Sequence, residues 1–136
     1  MTHPGPSTSP PSPGRPGSPA GPSLAEETDY PPTPVRWPFL TDAEAAAEAD
    51  RLQCWVDWLV ARYQLDARTV PPCWMQHGAL VEELSSLRTA WLEAHDPSSD
   101  GGAPLDWHHA FHLARQRLTD WTARSGCRPG EHRVPR

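Results

Sequence analysis

Two short pairs in this sequence carry metal-ligand chemistry. Cys73-x3-His77 and Cys127-x4-His132 together offer two thiolates and two imidazoles, the donor set of a closed structural zinc site. The first pair spans one helical turn. The second lies in an irregular, Arg- and Pro-containing tail that has little else to hold it down. A metal shared by Cys73, His77, Cys127 and His132 would anchor that tail and add stability to a short core. The gap between the pairs fits no zinc-finger spacing, and the competing reading packs Cys73 as a small hydrophobe and leaves Cys127 exposed. Zinc is the one cofactor these residues suggest.

His108, His109 and His112 form the densest imidazole group. His108 and His112 are one turn apart, a workable two-ligand spacing, but position 109 is His where a helical zinc protease carries Glu. The plainer reading is a partly exposed helix flank. Nucleophiles lack activating contexts. Ser85 and Ser86 have no Gly-x-Ser-x-Gly turn around them, and Cys54, next to Trp55, reads as a small core residue. There is no phosphate-binding glycine loop, no dinucleotide fingerprint and no paired carboxylate couple. An enzyme is therefore not expected.

Three amphipathic segments must position these residues. Thr41 and Glu44 form a capping-box pattern that opens a helix over about 42–65, ending at Tyr63 or Leu65, with Trp55, Leu59 and Tyr63 in a core-facing row and Trp58 beside it. Pro71-Pro72 starts a second helix over about 73–94. Because Gly78 interrupts it, a short turn at 73–77 followed by a main helix is an equal alternative. Leu80, Val81, Leu84, Leu87 and Trp91 make its stripe. Asp106 is a candidate cap for a third helix over about 105–124, with Trp107, Phe111, Ala114, Leu118 and Trp121 as a heptad-like seam and Ser125-Gly126 as its stop. No stretch alternates with period two over strand length. The fold class is all-α, a small antiparallel three-helix arrangement.

The arm before it differs in kind. Residues 1–36 hold eleven of the eighteen Pro in the 136-residue chain, so a disordered, polyproline-leaning segment is expected there. It reads as a passive tether rather than an SH3-type ligand. The helical domain is then 37–133. Lys, Asn and Ile are absent and all twelve basic residues are Arg. Those missing residues have A/T-rich codons, so the all-Arg set is no sign of phosphate binding. Residues 37–114 carry four Arg against twelve acids, and 115–136 carry six Arg against two. The simple consequence is a basic end lying against an acidic body. Three Cys and no export signal argue against a disulfide framework and for a cytoplasmic protein. No window spans a bilayer.

Trp55-x2-Trp58-Leu59-x2-Arg62-Tyr63, Cys73-Trp74-x2-His77, Leu84-x2-Leu87-x3-Trp91, Trp107 and Gly126-Cys127-x4-His132 resemble a family of small, Trp-rich actinobacterial proteins of unknown function. The similarity covers about residues 37–133. That family is met on plasmids, integrative elements and phage-like regions, and the resemblance implies an accessory role on mobile DNA, beside conjugative transfer genes. The expectation is a non-enzymatic helical accessory or interaction protein with a protein partner. The alternative is a small nucleic-acid-binding protein using the Arg-rich end, zinc-stabilised. A third reading, a zinc hydrolase built on the three His, lacks a carboxylate beside them.

Overall fold

Capping, proline and glycine chemistry set the ends of three helices, α1 (Asp42–Tyr63), α2 (Gly78–Ala94) and α3 (Ala103–Ser125). The structure is a computed structural model that describes residues 31–127 and 132–134. Single 3-10 turns lie at Trp37–Phe39 and Trp74–Gln76, and no strand occurs among the described residues. The protein is all-α.

At the start of α1 the Thr41 hydroxyl accepts the Glu44 amide at 3.2 Å, and the Glu44 carboxylate accepts the Thr41 amide at 3.0 Å. The capping box thus satisfies two of the helix's orphan donors. α1 ends at Tyr63, the earlier of the two expected ends, because Gln64 turns left-handed at φ 53°. Leu65 is buried in the connector that follows.

The expected helix over 73–94 divides, as the Gly78 alternative allowed. Pro71 and Pro72 carry the chain into the Trp74–Gln76 turn, and α2 begins at Gly78 with His77 as its cap. α3 begins two residues before the expected 105 and runs one past 124. Its cap is Gly102, not Asp106. Pro104 fits the first turn, where its missing N–H costs nothing, and Asp106 lies within that turn, facing the positive end of the dipole.

The core is built from Leu52, Trp55, Val56 and Leu59 of α1, Leu80, Leu84, Leu87 and Trp91 of α2, and Trp107, Phe111, Ala114 and Leu118 of α3. Trp55 sits at its centre, 6.2 Å from Trp91 and 6.5 Å from Trp107 between ring centroids. Each buried Trp removes about 200 Å2 from water, roughly 5 kcal/mol of driving force, so aromatic mass compensates for a short core. The Trp107 indole donates to the Leu87 carbonyl at 3.0 Å, and Arg117 pairs with Glu83 at 2.7 Å. Numbering thus runs in opposite senses across α2 and α3. The second contact also lays part of the basic end on the acidic body.

Two expectations change at single residues and one over a short segment. Cys54 is exposed rather than in the core. Its neighbour Trp55 is buried, but one residue is 100° of helix, and that step carries Cys54 away from the Leu52/Val56/Leu59 side. Trp121 is 40 % exposed, with the Arg124 guanidinium 5.0 Å from its ring centroid. The buried seam continues instead through Thr122, four residues after Leu118. Finally, residues 31–36 belong with the body. Pro32 and Val35 are half-buried, Pro34 and Val35 line a cavity with Ser85 and Thr89, and the Trp37 indole donates to Ser85 at 3.1 Å. The expected disorder over residues 1–30 falls outside the described residues.

Candidate metal centre

Three threonines tie together the segments that carry the cysteines. Thr122, buried on α3, donates to the Thr69 carbonyl at 3.3 Å, and the Thr69 and Thr119 hydroxyls meet at 3.2 Å. This clamp holds the α1–α2 connector against the last turns of α3. Thr69 lies four residues before Cys73, and Thr122 five before Cys127.

From the clamp, each strand of the site follows short-range rules. Val70 and Pro71 are buried, and Trp74 is 3 % exposed, which pins the 3-10 turn to the core. The turn closes through Gln76 N–H to Cys73 O at 2.9 Å and His77 N–H to Trp74 O at 3.1 Å. Cys73 and His77 therefore come to one place, with their Sγ and Nε2 atoms 3.5 Å apart. On the other side, Ser125 donates to the Thr122 carbonyl at 2.6 Å and accepts the Cys127 amide at 3.2 Å. Gly126 takes the left-handed cap at φ 76°. A Cβ there would also stand 2.8 Å from the Arg133 side chain, which is exposed and can swing away, so it is the left-handed backbone that calls for glycine.

The result joins all four expected ligands. Cys127 Sγ lies 3.5 Å from Cys73 Sγ, 3.3 Å from His77 Nε2 and 3.4 Å from His132 Nδ1. All four atoms fall within 4.8 Å of one another. Ligands about 2.0–2.3 Å from one tetrahedral zinc stand about 3.3–3.8 Å apart, so the set is within about an ångström of a binding geometry. The sulfurs are much too far apart for a disulfide, which needs about 2.05 Å. His77 is buried, Cys73 and Cys127 are half-buried, and His132 is exposed, so the centre sits at the rim of the core.

Electrostatics within the set are uneven. The Arg133 backbone N–H donates to Cys127 Sγ at 3.1 Å. That bond holds the Cys127 thiol down to about 6, favouring the thiolate, with help from Ser125, Cys73 and His132. Burial pushes the Cys73 thiol up, and the neighbouring Cys127 adds to the effect. A metal-free pair of facing thiols thus favours one thiolate. A divalent cation would deprotonate both, and two thiolates would neutralise its charge. An amide N–H aimed at a ligand sulfur also supplies the outer-shell support that metal sites use.

The three-His group does not converge in this way. His108, His109 and His112 are all exposed. His108 Nε2 shares a hydrogen bond of 2.9 Å with the Tyr63 hydroxyl. Among the described residues, the Cys73 set is the only metal-capable group of three or more. Ser85 is buried and accepts the Trp37 indole, so it is no poised nucleophile. Sequence reasoning named the four residues that meet here but not Thr69 and Thr122. The available signal was the i+4 step from Leu118 to Thr122, hidden by the larger Trp121 beside it.

No helix is long and apolar enough to cross a membrane. No protein-family model matches the chain, and neither a curated protein nor a solved structure matches it.

Proposed function

We propose that this chain is a zinc-stapled, non-enzymatic helical accessory protein that acts in the cytoplasm by binding a protein partner, as part of the cargo of actinobacterial mobile DNA. The observation that carries the zinc is the meeting of Cys73, His77, Cys127 and His132 within 4.8 Å. Four protein ligands fill a tetrahedral zinc and leave no position for a reactive water. The metal then serves structure, and the remaining surface serves recognition. Two free thiols facing each other suit a reducing compartment. The mobile-DNA setting rests on the shared Trp, Cys and His landmarks described above.

The full chain, purified without a polyhistidine tag and supplied with zinc, is expected to retain one equivalent by elemental analysis. Cys73→Ser and Cys127→Ser are each expected to lose it. A zinc-free wild-type protein after supplementation overturns the reading.

A further inference from the structure

We propose that the zinc centre is a redox-released latch: hydrogen peroxide oxidises Cys73 and Cys127 to a disulfide, the metal leaves, and the His132 segment comes free. This inference rests on the zinc reading above and concerns how that same site is regulated.

Three observations carry it. First, the two sulfurs face each other at 3.5 Å across 54 residues of sequence, and a disulfide needs an approach of about 1.5 Å. The Thr69–Thr122 clamp already holds both parent segments together, so the bond closes without refolding. Second, the centre is at the rim. Cys73 and Cys127 are half-buried beside an exposed His132, within reach of a small oxidant. The third cysteine, Cys54, is outside the group. Third, two of the contacts that hold the 132–134 segment run through the Cys127 sulfur. His132 Nδ1 reaches the site beside Cys127 Sγ at 3.4 Å, and the Arg133 N–H donates to that sulfur at 3.1 Å. A disulfide sulfur is a poor acceptor and no zinc ligand. His77 and His132 cannot hold a structural zinc by themselves. Oxidation therefore cuts both sulfur contacts at once and leaves the His77–His132 ring contact to hold the segment without a metal.

The step balances as follows. One thiolate attacks a peroxide oxygen, the O–O bond breaks, and a sulfenic acid and hydroxide result. The second thiolate attacks the sulfenic sulfur, the S–S bond forms, and a second hydroxide leaves. Two electrons pass from the sulfurs to the peroxide oxygens, two protons from solvent complete two waters, and zinc departs hydrated. A dithiol reductant reverses the change.

The test uses the full, zinc-loaded chain carrying Cys54→Ser, which prevents cross-linking through the exposed thiol. Zinc content is measured first. Peroxide is then titrated while a chromogenic chelator reports released metal and a thiol reagent counts sulfhydryls. The expected result is release of one zinc in step with loss of both thiols, and a mass lower by two hydrogens. A Cys73–Cys127 linked peptide and faster tryptic cleavage after Arg133 should accompany it. Dithiothreitol plus zinc should restore the starting state. Zinc bound at the outset but retained, or lost without the linked peptide, overturns the latch while leaving the zinc reading intact. Protein that holds no zinc before peroxide removes both.

Discussion

His77 works through two different atoms. Its carbonyl receives the Leu80 and Val81 amides at 3.0 and 3.1 Å and so opens α2, while its Nε2 stands 3.3 Å from Cys127 Sγ. The backbone role survives a change of side chain; the ligand role does not. His77→Ala is therefore expected to abolish stoichiometric zinc binding while the helical circular dichroism persists. His108→Ala, which loses the Tyr63 hydrogen bond and ring contacts with Tyr63 and Trp107 but no contact with the four residues, is expected to keep one zinc. Elemental analysis of the two variants checks both outcomes. At this scale the sequence was legible where chemistry demands particular residue types. Two Cys and two His at turn-length spacings have few other joint uses. It was illegible where burial depends on angle rather than identity, as at Cys54 and Trp121.

Helix ends and helix faces obey separate rules. At the α1 start, the Thr41 backbone amide, then its hydroxyl, hold the Glu44 carboxyl below its ordinary value. A carboxylate whose folded value is depressed stabilises the fold above the ordinary carboxylate range and loses that contribution as pH falls through the folded value. Glu44→Ala should accordingly melt below wild type at neutral pH, and the gap should close on acidification below the carboxylate range. Paired thermal melts from pH 7 to pH 3 test this. On the faces, Trp91 is 6 % exposed and lies 5.2 Å from Trp58 and 6.2 Å from Trp55. Trp91→Ala should cost about 3–5 kcal/mol in urea unfolding, as a large core truncation. The α1 capping box, the α2 stripe and the Gly126 stop were all readable because each is local. The start of α3 was misplaced because Gly102, Pro104 and Asp106 are all competent residues for a helix start, and local sequence does not choose among them.

For the whole molecule, the aromatic core and the metal centre are expected to come apart in order. The Trp55, Trp91 and Trp107 contacts span all three helices and do not involve the four ligands. Chelation should therefore deprotect the amides around Arg133 in hydrogen exchange while those of α1 and α2 remain slow. Simultaneous loss of all protection would show instead that folding is zinc-dependent throughout. The basic end is partly engaged with the protein itself. Arg117 bonds to Glu83, and Arg115 and Arg124 lie over the rings of Phe111 and Trp121. That arrangement sits poorly with a phosphate-binding surface. Random duplex DNA should show no useful affinity at physiological salt, and a steep salt dependence with tight binding would reverse the choice of partner class.

The Thr69–Thr122 clamp has a kinetic and entropic consequence for metal capture. Cys73 and Cys127 are 54 residues apart in sequence, but the clamp closes most of that loop beforehand. What remains open is the short path of four residues on one side and five on the other. By the logarithmic law for loop closure, this shortening spares roughly 1.5 kcal/mol of chain entropy at the moment of binding. Cys73, His77 and Cys127 are thus held near one another beforehand, and on the zinc reading proposed above His132 would close the site once an ion is bound. Thr122→Val keeps the shape but deletes the donor. It is expected to weaken zinc affinity by up to about tenfold, the equivalent of about 1.4 kcal/mol, and a competition titration against a chelator of known affinity measures the difference.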